Sequence, residues 1–290
     1  MAKRVNYLNN KDILKEIHKS KNSYCSFLTP EDHQYDLIVK DIAAITSDVG
    51  ILEAKTSRAD RIAKVAYDAA VEDGKKCKLA DFEIEVDSIL ITDLVFRVMM
   101  WDHIPVAEAV KKKDSIIMSE LLEEDPLVTE YDDELIKAPT KYTKVNFPPF
   151  QHYKIGENKE SILVGKSHWK GDLLAGEFNK EHGTVTRRLA DMYIKLVERY
   201  ATRSNWRGYT YNDEMRSQAL LQLSQIGLQF DESKSQNPFS YYTAVITNSF
   251  TRVLNIEKRN QNLRDDILEM NNFSPSYTRQ NAGGDYGDHD

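Results

Sequence analysis

Apolar positions recur at helical spacing over most of this chain, and a strict strand-like alternation shows in one short place. Near the start, Ile13, Leu14 and Ile17 share a helical face, and Asn10 is placed to cap it. Over residues 53–73, Ala59, Ile62, Ala63, Ala66 and Ala70 line one side of a second helix, with Gly74 as its stop. "DFEIEV" alternates, so Phe82, Ile84 and Val86 are expected on one face of a strand. "LVFRVMMW" fits either a strand or a buried helix.

After about residue 185 the period is helical throughout. "TRRLADMYIKLVERYATRS" offers Leu189, Met192, Ile194, Leu196, Val197 and Tyr200 to a core. The turn-rich "NWRGYTY" leads into "NDEMRSQALLQLSQIGLQF", a helix with Asn212 or Asp213 suited to its N-cap. "DESKSQ" is a turn, and Asn237-Pro238 then supplies a cap and a proline at the first helical position. That third helix is expected to run to about residue 263. Three long helices with short connectors predict a compact helical domain. The tail "SPSYTRQNAGGDYGDHD" is too poor in apolar residues to pack and is expected to be disordered.

Composition bounds these elements without redrawing them. The chain has 290 residues, 41% hydrophobic and 29% charged, which is enough for one large or two small domains. It has no apolar run near twenty residues, and "MAKRVNYLNNKD" lacks the apolar centre of a signal peptide, so a soluble intracellular protein is expected. Cys25 and Cys77 are too few for a disulfide framework and are expected to be reduced and structural.

Charge changes the picture more. Residues 1–186 hold 26 Lys and Arg against 33 Asp and Glu, whereas residues 187–264 hold 12 against 7. Residues 265–290 return to 1 against 6. One basic block in an acidic chain is the footprint expected of a phosphate-binding surface.

Motifs for chemistry are missing. "GKS" at Gly165 has Glu160 where a phosphate-binding loop needs glycine. The histidines form no helical pair at metal-ligand spacing, and no catalytic signature occurs. The expectation is a protein that is not an enzyme and uses neither metal nor cofactor.

The third helix divides instructively. Tyr242, Ile246, Phe250 and Val253 form an apolar stripe. Tyr241, Asn248, Thr251, Arg252, Asn255 and Arg259 fall on the other side. Asn, Thr and Arg are poorer choices than Glu and Lys for a merely solvated helix face, and they are residue types that read bases and hold phosphates. Aromatic residues at the N-terminal end, Phe239, Tyr241 and Tyr242, suit stacking on unpaired bases.

These residues carry a family resemblance. "FDESKSQNPFSYYTAVITNSFTRVL" resembles region 2 of bacterial sigma factors, where a Phe-Asp turn precedes an aromatic-rich promoter-reading helix that ends in Thr-Arg. The combination of "VNYLNNKDILKEIHKSK", "RSNWRGYTY", "DEMRSQALLQLSQIGLQFDES" and "NIEKRNQN", in that order, is similar to the late-transcription sigma factors of T-even-like tailed phages and their cyanophage relatives. The match covers residues 5–21 and about 186–264, and the long middle is of cyanophage type.

The resemblance implies a mainly α protein with a sigma region-2-like helical domain at 186–264. A helical segment at 1–24, an α+β or irregular insertion at 25–185 and a flexible tail at 265–290 complete the expected layout. It implies a specificity subunit of host core RNA polymerase, acting on promoter DNA in the cytoplasm of the infected bacterium, with no membrane role. By similarity, residues 213–230 dock on the coiled coil of the largest polymerase subunit, and Glu214, Ser217, Gln218, Leu221 and Gln225 make a continuous face for that contact. The next helix reads a TATA-like late promoter element. Asn248 and Thr251 fall where primary sigma factors place a Gln and a Thr that read its upstream edge.

Three departures from the pattern matter. Ala244 and Val245 stand where primary sigma factors have tandem tryptophans, so melting falls to Phe239, Tyr241 and Tyr242, or to DNA that opens easily. No second helix-turn-helix follows. The family's partners include a coactivator and a sliding clamp, but the apolar-acidic segment that engages the clamp has no counterpart in "GDYGDHD". Finally, eight acids and no base lie in residues 120–134. Such a stretch is expected either to cover the basic domain in the free protein or simply to be solvated. The competing functional class is a phage structural or assembly protein whose basic helix binds an acidic partner.

Overall fold

The computed structural model describes residues 8–75, 77–106 and 142–282, and the acidic stretch at 120–134 lies outside them. Helix predominates, accompanied by a mixed five-stranded sheet. The chain divides into two compact units that are discontinuous in sequence. One comprises Met1–Leu14, Arg187–Gly227 and Asn237–Asp290, and the other Lys15–Thr186 and Leu228–Gln236. The expected domains were consecutive, whereas here the turn at Leu228–Gln236 groups with the sheet-bearing unit.

In the sheet unit, the strands are β1 (Cys25–Phe27), β2 (Leu37–Val39), β3 (Val95–Met99), β4 (Phe150–Ile155) and β5 (Ser161–Ser167). Their order is β1-β5-β4-β3-β2, antiparallel except where β2 runs parallel to β3. β3 settles the ambiguity of "LVFRVMMW": it is a central strand buried on both faces, which explains its continuous apolar run. A helix packs against this sheet over Asp48–Glu72, one of two early helices, the first being α1 (Asn10–Asn22) and this one α2. Ala54 and Ala59 of α2 meet Val39, Phe96, Val98 and Ile155 in one core. Ser47 caps α2 by accepting a bond from the Gly50 amide. At the other end Gly74, at φ +78°, lets Lys75 N–H reach Ala70 O and its own N–H reach Val71 O. That pair of hydrogen bonds is the glycine stop expected from the sequence. Ile62, expected to be inward-facing, is 39% exposed.

"DFEIEV" is not a strand. It forms two short 3-10 turns, Leu79–Phe82 and Val86–Ser88, with Ile84 exposed and the Phe82 ring edge-on to Tyr67 of α2. Alternation supplies a face but not a neighbouring strand to pair with. This stretch covers α2 instead.

"GKS" lies inside β5 rather than in a loop before a helix. Gly165 pairs with Phe27, whose ring would stand 2.5 Å from any Cβ at that position. The Ser167 hydroxyl accepts the Phe150 amide bond at 2.8 Å. Both residues thus have structural uses in the sheet.

The helical unit contains α3 (Arg187–Ala201), α4 (Asn212–Ile226), α5 (Pro238–Met270) and α6 (Tyr277–Ala282). α3 buries Leu189, Met192, Tyr193, Leu196, Val197 and Tyr200, while Ile194 stays 41% exposed. α4 buries Met215, Ala219 and Leu223. Asn212 does not cap α4: its amide donates to the carbonyls of Ala201 and Trp206 and closes the preceding loop. Asn9 caps α1 through the Asp12 amide, and Asn10 instead accepts the Phe239 amide at 3.1 Å.

α5 continues seven residues beyond the expected end, and the described residues after it, as far as 282, are tied to it. Asn272, at φ +60°, stops the helix, with Phe273 N–H bonded to Leu268 O. The chain then folds back. The Asp265 carboxylate accepts bonds from the Ser276 amide and hydroxyl, and Arg279 pairs with Asp266 and Glu269. The described part of the tail, short of apolar residues, is held by hydrogen bonds and ion pairs, and residues 283–290 lie outside the described residues.

Candidate nucleic-acid and protein interface

The helical unit presents two separate polar faces on adjoining helices. α5 begins with Asn237, whose side chain accepts the Ser240 amide at 3.1 Å, followed by Pro238. Its inward side is Tyr242, Val245, Ile246, Ser249 and Phe250, with Val253 half-buried. The Phe250 ring stands edge-on to Tyr200 and Trp206 at 5.3 and 5.4 Å. This packing fixes the rotation of the helix.

Asn248, Arg252, Asn255 and Arg259 are all exposed on the opposite side, with Thr251 half-buried at its edge. Neither Arg252 nor Arg259 makes an ion pair with a described residue. The arrangement offers amide, hydroxyl and guanidinium groups over three turns of one helix, which suits base edges and phosphates.

The aromatic residues at the start of α5 separate. Phe239 is 38% exposed and can stack on an unpaired base. Tyr242 is fully buried: its hydroxyl donates to Gly227 O at 3.0 Å and lies 3.2 Å from that of Tyr193. It is a core residue, which corrects the expectation that it meets DNA. Tyr241 is half-buried and donates to Ile226 O, and burial pushes its phenol up to about 12. Ala244 is exposed and Val245 is buried, so only the first tandem-tryptophan position faces outward.

On α4, Glu214, Ser217, Leu221 and Gln225 are exposed and Gln218 is half-buried, opposite the Met215, Ala219, Leu223 row. Leu221, 51% exposed, gives this polar face an apolar centre.

The sheet unit holds a feature that the sequence did not announce, a buried charged centre. Arg97 of β3 lies between the Tyr35 and Phe150 rings, 3.9 and 3.8 Å from their centroids. Its Nε donates to His152 Nε2 at 2.9 Å, and His152 Nδ1 lies 2.7 Å from Asp32 O. The ring is therefore neutral, and burial followed by the Arg97 charge holds it well below the ordinary histidine range. Lys21 bonds Phe230 O and both oxygens of Glu232. Burial alone pushes Glu232 up, but Lys21, Arg97 and His18 together bring it down to about 2. Arginine inside an apolar run was the available signal.

A cleft of about 610 Å³ in the same unit is lined by Arg58, Arg61 and Lys154. Its cations are already matched, the two arginines by Asp36 and Lys154 by Asp32. Cys25 is a free thiol pushed up to about 12 by burial. Among the described residues no group of His, Cys, Asp and Glu is placed to hold a metal, and no helix is long and apolar enough to cross a membrane.

No family model, no curated protein and no solved structure matches this chain.

Proposed function

We propose that this protein is a late-transcription sigma factor of a tailed phage, a specificity subunit that acts with host core RNA polymerase on promoter DNA. One observation carries the reading: a single helical unit exposes an Asn/Thr/Arg face on α5 and a Glu/Ser/Gln/Leu face on α4. Asn248 and Thr251 read the upstream edge of a TATA-like element, and Arg252, Asn255 and Arg259 hold the backbone. Phe239, with the exposed part of Tyr241, accepts an unpaired base. Glu214, Ser217, Gln218, Leu221 and Gln225 meet the coiled coil of the largest polymerase subunit. A coactivator and the sliding clamp are further partners of this class of protein. The site of action is the cytoplasm of the infected host, and no catalytic residue or cofactor is involved.

The test is reconstituted transcription with host core polymerase on phage late-promoter templates. Initiation at late promoters that requires this protein is the expected result, and none above core polymerase alone would reject the reading.

A second reading has its own support. Leu263, Ile267 and Met270 form an exposed apolar row on the far half of α5. Such a row suits a structural or assembly protein whose basic helix also meets a protein partner. Salt-sensitive copurification with RNA polymerase favours the first reading, and its absence the second.

A further inference from the structure

Helix α3 contributes more than core packing. Its α4 side is marked by two contacts, Asn212 to Ala201 O and Arg216 to Glu198. At 100° per residue, the opposite flank carries Arg199, with Arg188 and Lys195 further up the same side, and Arg203 follows in the turn just past the helix end. All four are cations, and the acids of this helix, Asp191 and Glu198, lie at its outer apex and toward α4.

This flank is tied to the reading helix through one side chain. The Arg203 guanidinium lies over the Tyr200 ring, 4.3 Å from its centroid. The Tyr200 hydroxyl is 2.7 Å from Thr247 Oγ1, which itself donates to Thr243 O. Thr247 is next to Asn248 and one turn before Thr251. The cationic flank therefore borders the Asn248/Thr251/Asn255 face on the Thr247 side. Arg216 on α4 is paired with Asp213 and Glu198, whereas Arg199 and Arg203 make no ion pair with a described residue.

We infer that this flank of α3 is a second DNA-contacting surface, a track for the phosphates of the strand whose bases α5 reads. The inference rests on the proposed promoter-binding function and extends it to residues outside the promoter-reading helix. A planar guanidinium braced on an aromatic ring keeps its outer N–H groups directed at an anion with little loss of freedom on binding. Each phosphate neutralised this way releases condensed counterions, so the track must register in the salt dependence of binding.

The experiment uses the full chain bound to bacterial core polymerase, with affinity for late-promoter DNA measured over a range of salt concentrations. Arg199→Gln with Arg203→Gln should weaken binding on the order of tenfold at low salt and reduce the slope of log K against log salt by about 2, with the ratio between promoter variants unchanged. Arg199→Lys with Arg203→Lys should retain the slope. Lys159→Gln with Lys170→Gln, an equal charge loss in the sheet unit, should change neither quantity. An unchanged slope in a folded glutamine variant overturns the track and leaves the sigma-factor reading standing. Loss of polymerase binding by that variant also overturns it, because the flank would then be a protein interface. Failure of the unaltered protein to direct polymerase to any late promoter removes both proposals.

Discussion

Tyr242 and Asn248 lie less than two turns apart on one helix, and their surroundings set them to opposite uses. Tyr242 is enclosed, and its hydroxyl bonds Gly227 O. Tyr242→Phe should therefore cost about 1 kcal/mol of stability and leave promoter discrimination unchanged. Chemical unfolding beside a binding assay checks both halves. Asn248 has no such enclosure. Asn248→Ala or Thr251→Ala should lower discrimination between promoter variants by about 1–3 kcal/mol at one or two positions. Arg259→Ala should weaken binding to every sequence and flatten the salt dependence. Equal losses for all three variants on all templates would refute the division between base reading and phosphate holding.

At the scale of elements, α4 ends at Gly227, which lies against α3. Any Cβ there would collide with the Tyr193 ring. Gly227→Ala should cost about 1–3 kcal/mol through overpacking, measured as a lower denaturant midpoint. The outer face of α4 predicts the reverse pattern. Glu214→Lys with Gln218→Lys should abolish capture by core polymerase while stability changes by only about 0.5 kcal/mol, since these positions are not in the core. Capture at full strength would remove α4 from the interface.

For the whole molecule, pH is the most direct probe of the sheet unit. His152 and His168 are fully buried, and His103 is half-buried. Burial, the largest cause in each case, lowers His168 to about 3 and His103 to about 4, and takes His152 well below its usual value. The unfolded chain takes up these protons near pH 6.5, before the folded state does. Their contribution is fully present above pH 6.5 and is lost as pH falls toward 4 and 3. Glu232, held at about 2 against 4.5 unfolded, adds a further loss between those values. Thermal melting should thus weaken progressively below pH 6.5, and a flat melting temperature from pH 7.5 to 5 would contradict neutral buried histidines.

The sequence by itself determined the features that depend on neighbours in the chain. Helices over Asp48–Glu72, Arg187–Ala201, Asn212–Ile226 and from Pro238 onward follow from apolar spacing, and the Asn237-Pro238 start and Gly74 stop from backbone preferences. The outward placement of Asn248, Arg252, Asn255 and Arg259 follows from the same period. Tertiary structure decided what depends on partners distant in sequence. Whether "DFEIEV" pairs as a strand depends on an available neighbour, and none is given to it. Tyr241 and Tyr242 are alike in sequence, but only the fold supplies the Gly227 carbonyl and Tyr193 ring that enclose one of them. Asn212 is a good cap by type, yet carbonyls of Ala201 and Trp206 claim its amide. Arg97 reads as an interruption of an apolar run until Tyr35, Phe150 and His152 converge on it from other strands and loops. A period along the chain fixes which side of an element is apolar, whereas the groups that meet a given side chain are fixed only when remote segments pack together.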